Sequence, residues 1–282
     1  MSFSLLARRA ALPMIVAAAA ATLAGCSTFQ RQPRRPVIQE RPVEALYREG
    51  ARRLDEREWA NAIVYFGEVE RQHPYSEWSR RSILMTAYAY YQGGGYTEAI
   101  AAADRFIQLY PGNPSVAYAY YLKAQCWFEQ ILDVGRDQAS TEQARAGFED
   151  VVRRFPNTSY AADARLKLDM IRDQLAGKEM EVGRYYLQQG QTLAAMNRFR
   201  RVVDTYQTTS HTPEALYRMV ESGLTVGLID EATRNGAVLG QNFPGSPWYQ
   251  DAYSLLTARG FQPAQAPQQA TDSVFRRLRN RF

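Results

Sequence analysis

The chain has 282 residues, 46% of them apolar and 22% charged, a size for one or two domains and a balance that excludes both a disordered chain and a polytopic membrane protein. Two Cys and two His exclude a disulfide framework and a His/Cys zinc site. The net charge of +5 lies at the ends: Arg8 and Arg9 give +2, residues 31–41 and 271–282 carry +3 each, and the body between them about −3, which is not the basic folded face that nucleic-acid binding requires.

The first element is an address. Arg8 and Arg9 precede an apolar run from Ala10 to Ala21, too short to cross a hydrocarbon core of about 30 Å and of the length of a signal-peptide core. Leu23-Ala24-Gly25-Cys26 follows. Small residues before a Cys, with Leu three before it, resemble the bacterial lipobox. The resemblance implies a signal peptide over 1–25, cleavage before Cys26, a diacylglycerol thioether on Cys26 and an acyl chain on the new N-terminus, with no other cofactor. Several acyl chains anchor stably where one is marginal. Ser27 after the Cys favours, by resemblance to bacterial lipoproteins, the outer membrane. Residues 26–42, with Pro33, Pro36 and Pro42 among polar and Arg residues, read as an extended tether.

The body, 43–260, repeats. His73-Pro74, Tyr110-Pro111, Phe155-Pro156 and Phe243-Pro244, with Tyr206-Gln207 as a fifth member, are spaced 37, 45, 51 and 37 residues apart. Twelve residues before each closing position stand Ala62, Ala99, Ala144, Ala195 and Ala232; eight before, Phe66, Ala103, Phe148, Phe199 and Gly236; five before, Val69, Phe106, Val151, Val202 and Leu239. Positions 0, +4 and +7 share one helix face. Ala at the first lets a partner helix approach, bulk at the others fills the groove, and Pro ends the helix. The partner helices carry Gly50, Ala87, Ala124, Gly183 and Val220 in one register, four of the five small enough for a close crossing. The 45-residue spacing has 8 extra residues, which enlarge a turn around Ile131–Thr141. The 51-residue spacing has 14 extra residues, which predict an additional helix from about Tyr160 to Leu175. The resulting expectation is an all-α fold: a right-handed superhelix of five helix pairs, an α-solenoid, with one extra helix between pairs three and four.

Tyr90, Tyr96, Ala99, Phe106 and Pro111 resemble the tetratricopeptide pattern, whose period is about 34 residues. Together with the lipobox and tether, Ala87-Tyr88-Ala89-Tyr90-Tyr91, Asp104–Pro111, Phe155–Tyr160, Gln174-Leu175-Ala176, Tyr185-Tyr186 and Asn197-Arg198 resemble the BamD family of outer-membrane assembly lipoproteins over roughly residues 40–244. The likeness weakens from Asn242-Phe243 onward. It implies a periplasmic scaffold on the outer membrane, with unfolded outer-membrane proteins, the periplasmic domain of a central barrel subunit and other assembly lipoproteins as partners. The N-terminal repeats would receive an extended, aromatic-ended signal. The C-terminal repeats would dock the barrel subunit, with Arg198 the contact. A repeat lipoprotein coordinating peptidoglycan synthesis or division is the alternative.

Catalytic motifs are missing from the sequence. Gly93-Gly94-Gly95 lacks the strand-then-helix context of a phosphate loop and reads as a turn, and Cys126 reads as a buried free thiol. No enzyme is expected, but a binding surface: first helices rich in Tyr and Arg, the residue types of protein–protein hot spots. Tyr88, Tyr91, Tyr121, Tyr185, Tyr186 and Arg198 are the candidate contacts. The tail, 261–282, is a Gln/Ala/Pro linker followed by a basic amphipathic segment in which Phe275, Leu278 and Phe282 recur at helical spacing among four arginines.

Overall fold

In a computed structural model, residues 39–262 are described; Cys26, most of the tether and the tail lie outside them. Eleven helices follow one another among the described residues: α1 (Val43–Asp55), α2 (Trp59–Gln72), α3 (Glu77–Gln92), α4 (Tyr96–Leu109), α5 (Val116–Phe128), α6 (Ala139–Arg154), α7 (Ser159–Gln188), α8 (Thr192–Thr205), α9 (Thr212–Val226), α10 (Ile229–Asn242) and α11 (Pro247–Ala258). Each packs on its chain neighbours, and α1, α3, α5 and α7 also touch in succession. Odd helices therefore form one layer and even helices α2 to α10 the other, the arrangement of a tetratricopeptide-like solenoid.

The alanine column holds it together. Ala62, Ala99, Ala144, Ala195 and Ala232 are all fully buried, and so are the ten positions four and seven residues after them. Each apolar cluster takes its members from three consecutive helices: Tyr47, Phe66 and Ala89 from α1 to α3, or Met180, Phe199 and Met219 from α7 to α9. No pair closes its own core, so stability is shared with neighbours. The small residues opposite the column are needed sterically: a Cβ on Gly50 would stand 2.8 Å from the Phe66 ring and one on Gly183 2.4 Å from that of Phe199.

The aromatic-Pro steps form one repeated turn. At His73, Tyr110, Phe155, Tyr206 and Phe243 the backbone leaves the helix near φ −130°, ψ 50°, and its N–H still donates to the carbonyl four residues back. Three residues on, a backbone N–H donates to each of these carbonyls in turn, from Ser76, Asn113, Thr158, Thr209 and Ser246. Ser76, Thr158 and Ser246 then accept at the start of the next helix, capping it.

The turns inside pairs one, two, four and five use a left-handed residue: Arg57, Gly94, Gly190 and Gly227, with φ of 60° to 83°. Arg57 is the single non-glycine with positive φ among the described residues, a conformation that costs an L-residue roughly 1–2 kcal/mol. Arg57→Gly is expected to stabilise the protein by about 1 kcal/mol, raising Tm by about 2–4 °C for a chain of this size. A lower melting temperature would overturn the strain reading.

Two departures from the repeat meet in space. The extra segment between pairs three and four is helical as expected, but it does not form a helix of its own. It runs unbroken into the first helix of pair four, giving the 30 residues of α7. Gly177, two residues past the expected end of the extra helix at Leu175, stays helical. Its missing Cβ makes room for Val134 and His211, which would stand 3.2 and 3.1 Å from it. The enlarged turn of pair three lies on this helix, with Gln174 Nε2 donating to the Leu132 carbonyl at 2.7 Å and Lys178 Nζ to that of Gly135 at 3.3 Å. The N-terminal half of α7 completes the core of α5 and α6 through Ala161, Ala164, Leu168, Ile171 and Leu175; Ala176 and Met180 open the next core. One long helix thus serves two layers. The second departure is α11, which buries Ala252 and Leu256 against α9 and α10 and presents a largely polar outer face. It is a terminal cap of the kind a solenoid needs.

Candidate functional site

The odd-numbered layer carries the candidate tyrosines, and the structure divides them by use. Tyr88, Tyr91 and Tyr118 pack around Ala87, Ala103 and Leu122 where α3, α4 and α5 meet. Tyr91 donates to Glu129 Oε1 at 3.1 Å. Tyr121 donates to Asp163 Oδ2 at 2.6 Å, and its ring lies 5.4 Å from Tyr160, which in turn stands 5.5 Å from Tyr118. Burial pushes the Tyr91 phenol up to about 12 and those of Tyr118 and Tyr121 well above their ordinary value. These groups stay protonated donors. They tie α3, α5 and α7 together while leaving ring edges half-buried on the inner layer.

Tyr185, Tyr186 and Arg198 form a second group. Tyr185 is 57% exposed, with its ring 5.9 Å from Tyr186. Tyr186, Ala194, Asn197, Arg198 and Arg201 line a cavity of ≈ 390 Å³. Glu179 of α7, its side chain only 14% exposed, accepts from Arg198 at 3.1 Å through Oε2 and from Arg201 at 3.0 Å through Oε1. The pair is a cation platform held by one carboxylate, and the hydrogen bond to Glu179 raises the Arg198 guanidinium further above its already high range. The fold therefore presents aromatic and guanidinium groups together, the composition of an interface hot spot, and exposed Leu193 lies on the same helix, α8.

A cleft at the other end was not singled out from the sequence. It encloses ≈ 410 Å³ between Tyr47, Arg80, Arg81, Leu84, Met85 and Phe106, with the α4–α5 turn closing one side. The Tyr47 ring lies 4.8 Å from Trp78, and the Arg81 guanidinium 5.2 Å from the centre of that Trp ring. The available signal was Arg80-Arg81 near the start of α3, where the helix dipole disfavours positive charge. A third group was hidden because it needs α11. Arg218 stands over both Tyr217, at 5.3 Å, and Trp248, at 5.8 Å, while Glu214 accepts two hydrogen bonds from Arg184 Nη1 at 3.1 Å, joining α7 to α9.

Cys126 is buried, and burial pushes its thiol up to about 12, which holds it in the unreactive thiol form. Gly94 takes a left-handed conformation in the turn between α3 and α4, so a helix and not a strand precedes the three glycines. Among the described residues no helix is long and apolar enough to cross a membrane.

A family model described as an outer membrane lipoprotein, YfiO, matches residues 39–239. A protein of Caulobacter vibrioides named outer membrane protein assembly factor BamD is 63% identical over 262 residues, covering 93% of this chain and 86% of its own. The chain belongs to the BamD family. A Rickettsia prowazekii BamD is 47% identical over 215 residues, covering 76% of this chain and 86% of the relative, and a Neisseria meningitidis BamD is 34% identical over 227 residues, covering 77% and 85%. Among solved structures, the tetratricopeptide TPR2AB domain of yeast Sti1 is similar at a TM-score of 0.45 and 10% identity over 77% of this chain and 84% of that one. This BamD-family chain is accordingly an outer membrane protein assembly factor, associated with the outer membrane. The alternative of a repeat lipoprotein for peptidoglycan synthesis is not favoured, since its relatives bear the assembly name.

Proposed function

We propose that this BamD-family chain is a lipid-anchored presenter on the periplasmic face of the outer membrane. Acyl chains on Cys26 hold it there, the N-terminal repeats take an extended segment of an unfolded outer-membrane protein, and the C-terminal repeats dock the periplasmic domain of the central barrel subunit. Presentation, not bond-breaking, is the work. The N-terminal cleft suits an extended segment: Leu84 and Met85 offer apolar contact, Tyr47 an aromatic wall, and Arg80 a cation for acidic or carboxylate groups, beside Arg81 in its pair with Glu77. The observation that carries the reading is the Arg198 platform: a guanidinium held by Glu179 in a cavity it shares with Tyr186, whose ring stands 5.9 Å from that of exposed Tyr185.

Co-purification on the acylated, full-length protein tests it. Arg198→Ala leaves Arg201 to neutralise Glu179, so the fold is retained. Loss of a hot-spot Arg is worth about 2 kcal/mol or more, and recovery of a barrel protein with periplasmic repeats should fall at least about tenfold. Unchanged recovery from a folded variant would remove Arg198 from the docking surface, and capture of wall synthases instead would overturn the assembly reading at this site.

A further inference from the structure

The N-terminal half of α7 has a face that is open around Leu166 and Met170. Its buried face packs on α5 and α6 through Ala161, Ala164, Leu168, Ile171 and Leu175. On the opposite side Leu166 is 66% and Met170 60% exposed, with Ala162 also exposed. The next odd helix in the layer is short. α9 has 15 residues against the 30 of α7, and it stacks beyond the C-terminal half, where Arg184 meets Glu214. The 14-residue insertion therefore projects a helix face with no helix above it.

That face has a definite chemistry. At about 100° per residue, Ala162, Asp163, Asp169, Met170 and Asp173 all lie within about 60° of Leu166, whereas Arg165 and Arg172 lie about 100° and 120° away. The three carboxylates have local partners, in Tyr121 and Lys167, in Arg172, and in Ser210 and His211. Their side chains still keep 46%, 62% and 44% of their surface in water. Two large apolar groups framed by three acids call for a short amphipathic segment with apolar groups at helical spacing and bases between them.

The chain contains one. Residues 271–282 carry Phe275, Leu278 and Phe282 with Arg276, Arg277, Arg279 and Arg281. We propose that this C-terminal segment docks in cis on the open face of α7, taking the place of the absent helix of that layer. The lengths agree. Twelve residues in helical form span about 18 Å, close to the roughly 21 Å of the insertion. The described chain ends at Gln262, just past α11, and twelve residues separate it from Phe275. Fully extended they reach about 40 Å; α11 and α7 are two layers apart, about 20 Å at ordinary helix spacing, and Met170 lies about 27 Å along the axis from the end of α7 at Gln188, so the linker spans the resulting distance of about 34 Å in an extended form. Phe275 and Leu278 bury against Leu166 and Met170, and the arginines meet Asp163, Asp169 and Asp173.

The full-length protein tests this with two measurements. Amide exchange of residues 271–282 is compared between wild type and Leu166→Glu/Met170→Glu; both sites are exposed, so the fold tolerates the change, and circular dichroism checks that it does. Exchange in the tail should be at least tenfold slower in wild type and lose that protection in the double variant. Separately, Met170→Cys with Leu278→Cys should form an intramolecular disulfide under copper phenanthroline, and Tyr75→Cys with Leu278→Cys should not. An unprotected tail, protection indifferent to the α7 changes, protection that appears only with anionic vesicles, or cross-links solely between chains would each overturn docking in cis.

Discussion

Phe199→Ala is expected to cost about 3–5 kcal/mol, the range for emptying a buried aromatic site. Phe199 is fully buried between Ala176, Met180, Ala195 and Met219, where α7, α8 and α9 meet. Those neighbours are fixed by their own layers, so the cavity collapses little. The partner position makes the test sharp. A Cβ on Gly183 would lie 2.4 Å from Phe199 Cε1 and 2.8 Å from Cζ. Gly183→Ala therefore overpacks the wild-type core at about 1–3 kcal/mol, which outweighs the roughly 1 kcal/mol that Ala gains over Gly inside a helix. With Phe199 already Ala the clash is gone, and the same Gly183→Ala change should stabilise by about 1 kcal/mol. The sign reversal is a coupling between touching residues, read from urea or thermal unfolding. Because each repeat leans on its neighbours, amide exchange should accelerate first in α7 to α9. A loss under 1 kcal/mol for Phe199→Ala, or a Gly183→Ala change of one sign in both backgrounds, would refute the close-crossing account.

The second large effect is on location. Exchanging residues 1–25 for a cleavable leader that does not direct lipidation, together with Cys26→Ala, should move the protein from the membrane to the soluble periplasmic fraction. Each buried CH₂ of an acyl chain contributes about 0.8 kcal/mol, and a single chain holds only marginally, near 10⁴ M⁻¹. Removing every acylation site thus removes nearly all of the membrane affinity, and no membrane-crossing helix exists among the described residues to replace it. Helical content should not change, because α1 begins at Val43, far along the chain from Cys26. Fractionation and far-ultraviolet circular dichroism give the two readouts. Continued membrane retention in cells lacking the barrel partner would defeat the lipobox reading of Leu23-Ala24-Gly25-Cys26.

The candidate surface was legible in part. Tyr186 and Arg198 meet at one cavity, and both were singled out from sequence. Tyr88, Tyr91 and Tyr121 were marked for the same reason, yet their hydroxyls or rings are largely engaged by neighbouring helices. Sequence cannot separate the two uses, because a Tyr on the inner layer has the same residue type and spacing whether its ring meets a partner or the next helix. The Arg80–Arg81 cleft escaped notice because it forms between α1, α3 and the α4–α5 turn, segments whose proximity is fixed only once the layers stack.

What the sequence determined by itself was the repeat: five alanines, their bulky companions and the aromatic-Pro steps lie within one helix and its turn, so short-range periodicity specifies which face is buried. Tertiary structure decided the exceptions. The extra helix expected to end near Leu175 runs on through Gly177, where Val134 and His211 approach closely, and the insertions of 8 and 14 residues become one contact through Gln174 and Lys178. Those outcomes depend on groups some 40 residues apart, and a local pattern holds no record of which distant backbone will arrive to fill a space.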